Sequence, residues 1–455
     1  MKNIVIFMIA ALSLSGCGIY GKYHRPDVNT DNLYKDIEVS EEDTASLADL
    51  SWRELFTDPQ LQTLIEEALD SNTDMNIARL KVKEARASLL NAKLMYLPSV
   101  QLDPQGSITS YNADGASYGY DLGASASWEF DIFGKTLNRL RGAKMSLAQS
   151  EAYSLAVQTQ LIATMADSYY SLLLLDKQLE ITTATVESWR EYVRSLKALM
   201  NAGQADRSTV NQAEASCMAA EASLLEIKRQ INELENAISS MLASAPRRIE
   251  RGTLDGQSFP EELEVGVPVS LLSRRPDVRQ AEYALAQSFY ATNLARAAFY
   301  PTLTLSGSAG WTNNGVTVGN PAAWLLQAVG SLVEPLFNRG TNIANLRIAK
   351  AQQEEALLSF RQSLLDAGGE VNNALMLWQT ARAKIEFDTK QVEFLTTTVE
   401  DAKALMEYGT ANYLQVLTAQ QSLLQAELSL ASDRYSEIQG VINLYHALGG
   451  GADAQ

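Results

Sequence analysis

Residues that start, stop or pace helices recur in this chain at a nearly fixed separation, and this limits what it can fold into more than any other feature. Asp74 and Asp277, like Pro98 and Pro301, lie 203 residues apart, whereas Lys144 and Lys350, Leu199 and Leu405, and Gly203 and Gly409 lie 206 apart. A three-residue difference within the second strand region reconciles the two offsets. The chain therefore reads as two copies of one unit.

The largest part of each unit is a helical hairpin of unusual length. From about Thr136 to Asn201 a helical period runs without a break, which at 1.5 Å per residue is about 100 Å. It stops at Gly203, and a partner follows with the seam Val210, Ala213, Cys217, Ala220, Leu224 and Ile227. In the second copy the run from about Asn342 to Leu448 breaks once, at Tyr408-Gly409-Thr410-Ala411-Asn412. After that break Leu414, Leu417, Gln421, Leu424, Leu428, Ala431, Tyr435, Ile438 and Ile442 form a heptad seam. A second stripe, Val416, Ala419, Leu423, Ala426 and Leu430, falls on roughly the opposite side, with Gln415, Gln420, Gln425 and Glu427 among the residues left over. A helix that needs neighbours on two flanks suits a palisade, although periodicity alone also allows a thick helix in an ordinary all-α core.

Ahead of each long hairpin the period changes from helix to strand. Tyr120, Leu122, Ala124, Ala126, Trp128 and Phe130 alternate with Asp121, Gly123, Ser125, Ser127 and Glu129, so one face is apolar and the other polar. Val100 to Ser110 alternates more weakly, with Tyr111 to Gly119 as the intervening loop. In the second copy Thr302 to Trp311 and Trp324 to Val333 play the same parts. About 9 to 11 residues suffice for a tilted strand to cross a bilayer. Two hairpins supply only four strands, too few to close a membrane barrel, so the subunit needs copies of itself.

The N-terminus predicts export. Lys2, the apolar run Ile4 to Leu14 and the tetrad Leu14-Ser15-Gly16-Cys17 read as a signal peptide. The tetrad looks like a bacterial lipobox that makes Cys17 the lipidated first residue of the mature chain; the alternative is a plain cleavage site with an incidental cysteine. Net charge of -17 argues against nucleic acid or an anionic membrane surface as partner. Two cysteines, Cys17 and Cys217, exclude a disulfide framework, and Cys217 lies on a helical seam where a small buried side chain fits. No enzyme is indicated. His24 and His446 are the two histidines of the chain and cannot make a metal or base cluster within it. Gly134-Lys135-Thr136 lacks the earlier glycine of a phosphate loop, since that position is Glu129. No cofactor or metal site is expected beyond a covalent lipid on Cys17.

Four stretches make the pattern specific. Arg275-Pro-Asp-Val-Arg-Gln-Ala-Glu282, Phe299-Tyr-Pro-Thr-Leu-Thr-Leu305, Tyr408-Gly-Thr-Ala-Asn-Tyr-Leu-Gln-Val-Leu417 and Asn443-Leu-Tyr-His-Ala-Leu-Gly-Gly-Gly451 resemble the TolC-like outer-membrane efflux family. The closer likeness is to the lipoprotein branch that serves resistance-nodulation-division pumps, and it covers nearly the whole mature chain. The resemblance implies a mainly α fold with a small β part: a homotrimer with a 12-stranded β-barrel in the outer membrane, continued by a 12-helix periplasmic α-barrel. It also implies a passive conduit for drugs or other small molecules, with a periplasmic adaptor (membrane fusion) protein and an inner-membrane pump as partners. A type I secretion outlet and a coiled-coil spacer lipoprotein are the alternatives.

In such a protein the turns at Gly203 and Gly409 are the periplasmic tips where the adaptor docks, besides being ordinary helix stops. The family narrows its periplasmic mouth with a Leu, an Asp and an Arg just after the second tip. Leu414 matches the Leu, but Thr418 and Gln421 stand at the charged positions, which implies a neutral gate. Gln421 equally suits an interhelical hydrogen bond. Asp121 and Glu129, on the polar strand face, would line the pore and favour cations, or else serve as solubilising residues at a rim.

The expected division is a signal peptide (1–16), a lipidated tether (17–50), short helices (51–97), a first β-hairpin (98–132) and a first long helical hairpin (133–244). An equatorial connector (245–275), a short helix (276–300), a second β-hairpin (301–335), a second long helical hairpin (336–448) and a tail (449–455) follow. Negative-stain imaging of the detergent-solubilised protein should show a hollow trimeric particle. A tube of about 100 Å should extend beyond a detergent belt of about 30 Å. A thin solid rod without a belt would favour the spacer instead.

Overall fold

The computed structural model describes residues 20–27, 50–111, 114–257, 259, 274–312, 323–335, 338–407 and 413–451. Its helices are α1 (Trp52–Leu55), α2 (Pro59–Ser71), α3 (Thr73–Leu94), α4 (Lys135–Asn201), α5 (Arg207–Met241), α6 (Pro276–Ala297), α7 (Thr341–Glu407) and α8 (Tyr413–Ala447). The strands are β1 (Ser99–Leu102), β2 (Gln105–Tyr111), β3 (Asp114–Phe130), β4 (Thr302–Thr312) and β5 (Ala323–Val333). The principal helices of the two halves match in length. Helices α4 and α7 each have 67 residues, and α5 and α8 each have 35. Likewise α3 and α6 have 22 each. Among the described residues no helix is long and apolar enough to cross a membrane.

Local chemistry fixes the helix ends. Ser51 and Glu54 form a capping box at α1, and Asp58 caps α2 ahead of Pro59 at its first position. The Asp206 carboxylate accepts the Thr209 N–H at 2.7 Å to start α5. Asp131 takes the N–H groups of Thr136 and Leu137 at 3.0 and 2.7 Å at the start of α4. The first donors after Gly134-Lys135-Thr136 are thus filled from within the chain.

The chain divides into two compact units. The first contains Leu80–Ala152 and Arg279–Ser363 with the N-terminal residues to Asn29, and holds the whole sheet. All its strand pairs are antiparallel: β3 pairs with β4 from Asp121↔Thr312 to Phe130↔Leu303, and β4 with β5 from Thr302↔Val333 to Thr312↔Ala323. On its other side β3 pairs with β1 and β2. Two boundaries differ from the sequence reading. The weakly alternating strand is broken at Asp103-Pro104, because proline has no N–H for the ladder, although the Asp103 N–H still reaches the Gly123 carbonyl at 2.9 Å. Residues 114–119, expected in a loop, belong to β3: Tyr118 stands opposite Ile108 and Ser117 opposite Thr109, pairs that favour extended chain.

The second unit contains Thr30–Arg79, Tyr153–Val278 and Leu364–Gln455. Its core includes an aromatic group, with Phe56 against Tyr445 at 6.1 Å between ring centroids and Tyr169 against Tyr170 at 5.6 Å. The 3₁₀ turn Leu254–Gly256 lies in the connector; the remainder of the connector between 260 and 273 lies outside the described residues. On α8, both expected stripes contribute buried residues: Leu417, Ala431, Ile438 and Ile442 from the first, and Val416, Ala419 and Ala426 from the second. Three positions depart from the expectation. Leu414, 50% exposed, and Gln421 are both exposed despite their seam positions, and Gln420, assigned to the leftover face, is buried at 6%.

Helices α7 and α8 are tightly packed at Gly440. A Cβ placed there would sit 2.8 Å from the backbone N, Cα and Cβ of Trp378, with no flexible side-chain end to give way. Overpacking of this kind costs about 1–3 kcal/mol. The helix-propensity gain from alanine is at most about 1 kcal/mol. Gly440→Ala should therefore lower the thermal unfolding midpoint of the solubilised protein; a raised midpoint would show that α7 shifts aside without cost.

Candidate functional site

The sheet of the first unit has two unlike faces, and the strand register shows that each is continuous. Leu122, Ala124, Ala126, Trp128 and Phe130 on β3 stand beside Trp311, Ala309, Gly307, Leu305 and Leu303 on β4. The apolar face extends to β5 through Leu326, Ala328 and Leu332 and to β1 through Val100 and Leu102. It is not covered in the single chain: Leu102 is 83% exposed, Leu326 84% and Leu332 67%. Side chains this apolar are suited to hydrocarbon rather than water.

The opposite face is hydroxyl-rich. Gln101, Ser125, Ser308 and Gln327 stand side by side across four strands, followed by Ser99, Ser127 and Ser306, and then by Glu129, Thr304 and Ser331. Where β3 runs into α4, aromatic residues gather. The Trp128 and Phe130 rings lie 4.1 Å apart, Phe133 stacks on Tyr300 at 5.0 Å, and the Trp128 indole N–H donates to the Tyr96 carbonyl at 2.9 Å. Amphipathic rings at one level of an apolar sheet are what a membrane–water interface selects.

Asp121 and Glu129 both lie on the polar face, eight residues apart on β3, but in different surroundings. Asp121 is exposed near the far end of the β3–β4 pairing. Glu129 is half-buried, and Lys135 donates to its Oε1 at 2.7 Å. Glu129 is thus paired with a cation.

The second unit contains the end of the first long hairpin. Gly203 has φ +76°, and around it the Gly203 N–H donates to the Met200 carbonyl at 3.0 Å and the Gln204 N–H to the Leu199 carbonyl at 2.8 Å. This left-handed stop closes the α4 terminus and leaves Gly203 exposed, with open space where a side chain would be. Its counterpart Gly409 lies outside the described residues, as does Cys17. Behind Gly203, four helices share one apolar cluster: Trp189, Tyr192 and Leu196 of α4, Val210, Ala213 and Cys217 of α5, Ala402 of α7, and Val416 and Leu417 of α8. Cys217 has the small buried role its seam position predicts, and burial pushes its thiol pKa up.

Polar contacts between the two hairpins ring this cluster, and all but one are neutral. The Tyr192 hydroxyl donates to the Tyr413 carbonyl at 2.6 Å, and the Tyr413 hydroxyl to the Gln204 carbonyl at 3.2 Å. Burial pushes the Tyr192 hydroxyl up to about 12, so it stays a donor at any physiological pH. The Gln420 amide donates to Ser188 Oγ at 3.1 Å, and Lys403 reaches the same hydroxyl at 3.3 Å. The Gln421 amide donates to Ser216 Oγ at 3.2 Å, the interhelical hydrogen bond its seam position allows. Leu414 and Thr418 are exposed on the same helix. Tyr192, Tyr413, Ser188 and Ser216 were not singled out from the sequence. None of them lies on a seam read from the sequence, and contacts between residues this far apart leave no local pattern.

The model of the family described as "Outer membrane efflux protein" matches residues 64–244 and 267–450. The cation efflux system protein CusC of Escherichia coli (strain K12) is 29% identical over 450 residues, covering 97% of this chain and 98% of CusC. The probable outer membrane lipoprotein SilC of Salmonella typhimurium is 29% identical over 414 residues, 89% of each chain. A crystal structure of CusC, from work on its folding and transmembrane channel formation, superposes with a TM-score of 0.86 at 27% identity. It covers 96% of this chain and 100% of the CusC chain.

The tyrosine contact is open to direct test. Tyr192→Phe keeps the ring and removes one hydrogen bond, worth about 1 kcal/mol. Hydrogen exchange in the segment 413–424 should become about fivefold faster, while exchange elsewhere in α8 stays unchanged. Unaltered exchange there would mean that the bond does not hold the start of α8.

Proposed function

The chain belongs to the outer membrane efflux protein family, and on that basis we propose that it is the outer-membrane channel of a tripartite efflux system. In this reading it is a passive conduit that carries drugs or other small molecules from the periplasm to the exterior. The observation that carries it is the bare, two-faced sheet. A sheet with aliphatic and aromatic side chains on one surface and hydroxyls on the other separates hydrocarbon from water, as a channel wall must. Catalysis has no part in it.

The wall is completed by copies. Strands β1 and β2 at one edge and β5 at the other present unpaired backbone groups, which only further strands can satisfy in a membrane. A homotrimer closes the barrel with twelve strands. A second feature supports it. Leu365, Met376, Phe387 and Phe394 recur on α7 at steps of 11, 11 and 7 and are 55%, 63%, 70% and 73% exposed. Those steps average about 3.6 residues per turn, so the stripe runs straight along an unsupercoiled helix. A straight apolar stripe of about 44 Å is a suitable seat for a helix of the next subunit.

Lipid on Cys17 would add an anchor to the inserted barrel. Partners follow from the same reading: a periplasmic adaptor on the tips at Gly203 and Gly409, and an inner-membrane pump that supplies the energy. The gate is formed by Leu414, Thr418 and Gln421 near the start of α8. Its neutral side chains, with Gln421 held by Ser216, make it respond weakly to salt.

Planar-bilayer recording tests this reading. The purified protein should give discrete, long-lived conductance steps, and a protein that never conducts would sink the channel assignment. Asp121→Asn should lower the preference for cations more than Glu129→Gln, because Lys135 already offsets Glu129. Equal effects of the two substitutions would show that the Lys135 pair does not persist in the open pore.

A further inference from the structure

We propose that Asp388 and Asp433 form a proton-binding clasp between α7 and α8, in which one shared proton holds the helices of the second hairpin together and its loss loosens them. Lys384 and Asp388 are four residues apart on α7, one turn along the same face, and both meet Asp433 of α8. The Asp433 side chain is 7% exposed. Lys384 donates to its Oδ1, while Oδ2 has no hydrogen-bond partner. Asp388, one turn beyond Lys384 on the same face of α7, is the neighbouring carboxyl that acts on this site.

Two carboxylates only accept, so they cannot bond to each other while both are ionised. Protonated, Asp388 becomes the donor that the Asp433 carboxylate lacks, and the site then holds one anion against one lysine. Deprotonated, it holds two anions against one lysine, with one of them buried. The hydrogen bond to Asp433, then burial, then repulsion from Asp433 raise the Asp388 pKa, with Lys384 opposing.

No nearby charge provides a substitute donor. The charged groups acting on Lys384 are again Asp433 and Asp388. Arg434, next to Asp433, turns away to Asp255, and Lys177 of α4 pairs with Asp255 and Glu180. Glu437, one turn further along α8, lies in the field of Arg382 and Arg434.

The sign follows from which state binds the proton more tightly. The closed hairpin does, so the clasp is complete below the ordinary aspartate value and is lost as pH rises through the raised value of Asp388. Between those limits opening releases one proton, and the opening equilibrium grows up to about tenfold per pH unit. Mildly acidic surroundings therefore keep the second hairpin shut, and neutral ones leave it easier to part.

Hydrogen exchange of the full-length, detergent-solubilised protein across a pH series tests this, with rates corrected for base-catalysed intrinsic exchange. In the wild type, protection of 380–392 and 428–440 should fall with rising pH, while protection around Trp189 to Leu196 stays flat. Asp388→Asn supplies a permanent amide donor, so it should keep its protection at neutral pH and lose the pH dependence. Asp433→Asn should also be flat. The proposal is overturned by pH-independent protection in the wild type, by a slope that persists in Asp388→Asn, or by an Asp388→Asn hairpin that is loose at every pH. Restoration of wild-type protection at neutral pH by magnesium or calcium would overturn it as well, by assigning the site to a metal ion.

Discussion

Everything in this fold follows from a sheet that has nothing behind it. In an ordinary α+β domain the apolar face of a sheet is covered by helices, and that burial stabilises the layer. Here, among the described residues, the side chains that should be buried are largely bare. Such a sheet is stable only where hydrocarbon meets one face and water the other, and where its two edges find strands of other copies. Helix α7 carries a similar demand, since Leu365, Met376, Phe387 and Phe394 stay exposed among the described residues. Under the proposed function both surfaces would be completed by further copies.

In the second unit the start of α6 is tied to α7 and to the end of α8 by a buried cation. Arg275 is 3% exposed and donates to Asp277, to Glu370 on α7 at 2.7 Å, and to the Ala447 carbonyl at the end of α8 at 2.8 Å. A guanidinium out of water needs all of these partners, and removing one carboxylate would leave it under-compensated. Burial alone would raise the Asp277 pKa, yet the paired arginine keeps it below the usual range. Burial, reinforced by the same arginine, lowers the pKa of His446 and favours its neutral form. The Arg-Pro-Asp motif thus has a structural reason: proline starts α6, and the residues flanking it tie that start to two helices of the second half.

Periodicity proved informative about faces and silent about partners. The 203 and 206 offsets anticipated a repeat, and the paired lengths of α3 and α6, α4 and α7, and α5 and α8 display it. The alternation from Tyr120 to Phe130 gave the correct two faces of β3, because a strand has just two sides. On α8 the same reasoning erred by one step. Gln420 is buried and Leu414 exposed because a helix near a turn is covered only where a neighbour happens to reach, and Ser188 is within reach of Gln420. Contacts such as Tyr192 with Tyr413, 221 residues apart, leave no local trace. The Glu129–Lys135 pair is close in sequence, but it depends on how β3 turns into α4, which alternation does not encode.

A gate without charges has a particular energetic character under the proposed function. Charged rings resist opening through a field that salt screens, so their hold varies with ionic strength. The contacts between the two hairpins at this tip are mainly hydroxyl–carbonyl and amide–hydroxyl bonds around an apolar cluster, with Lys403 beside them, while the ion pairs Arg190–Glu221 and Lys197–Glu214 lie within the first hairpin. Neutral hydrogen bonds contribute about 1 kcal/mol each, so a few of them hold each subunit with an energy that one protein contact can match. A partner can open such a tip only by binding the parted form more tightly than the shut one. Gly203 suits that role, since its exposed left-handed turn leaves open space for another backbone to approach. Under the proposed function, contacts of this kind would keep the tip shut until a partner binds, and that partner would need specific contacts with the helix ends rather than a counter-charge.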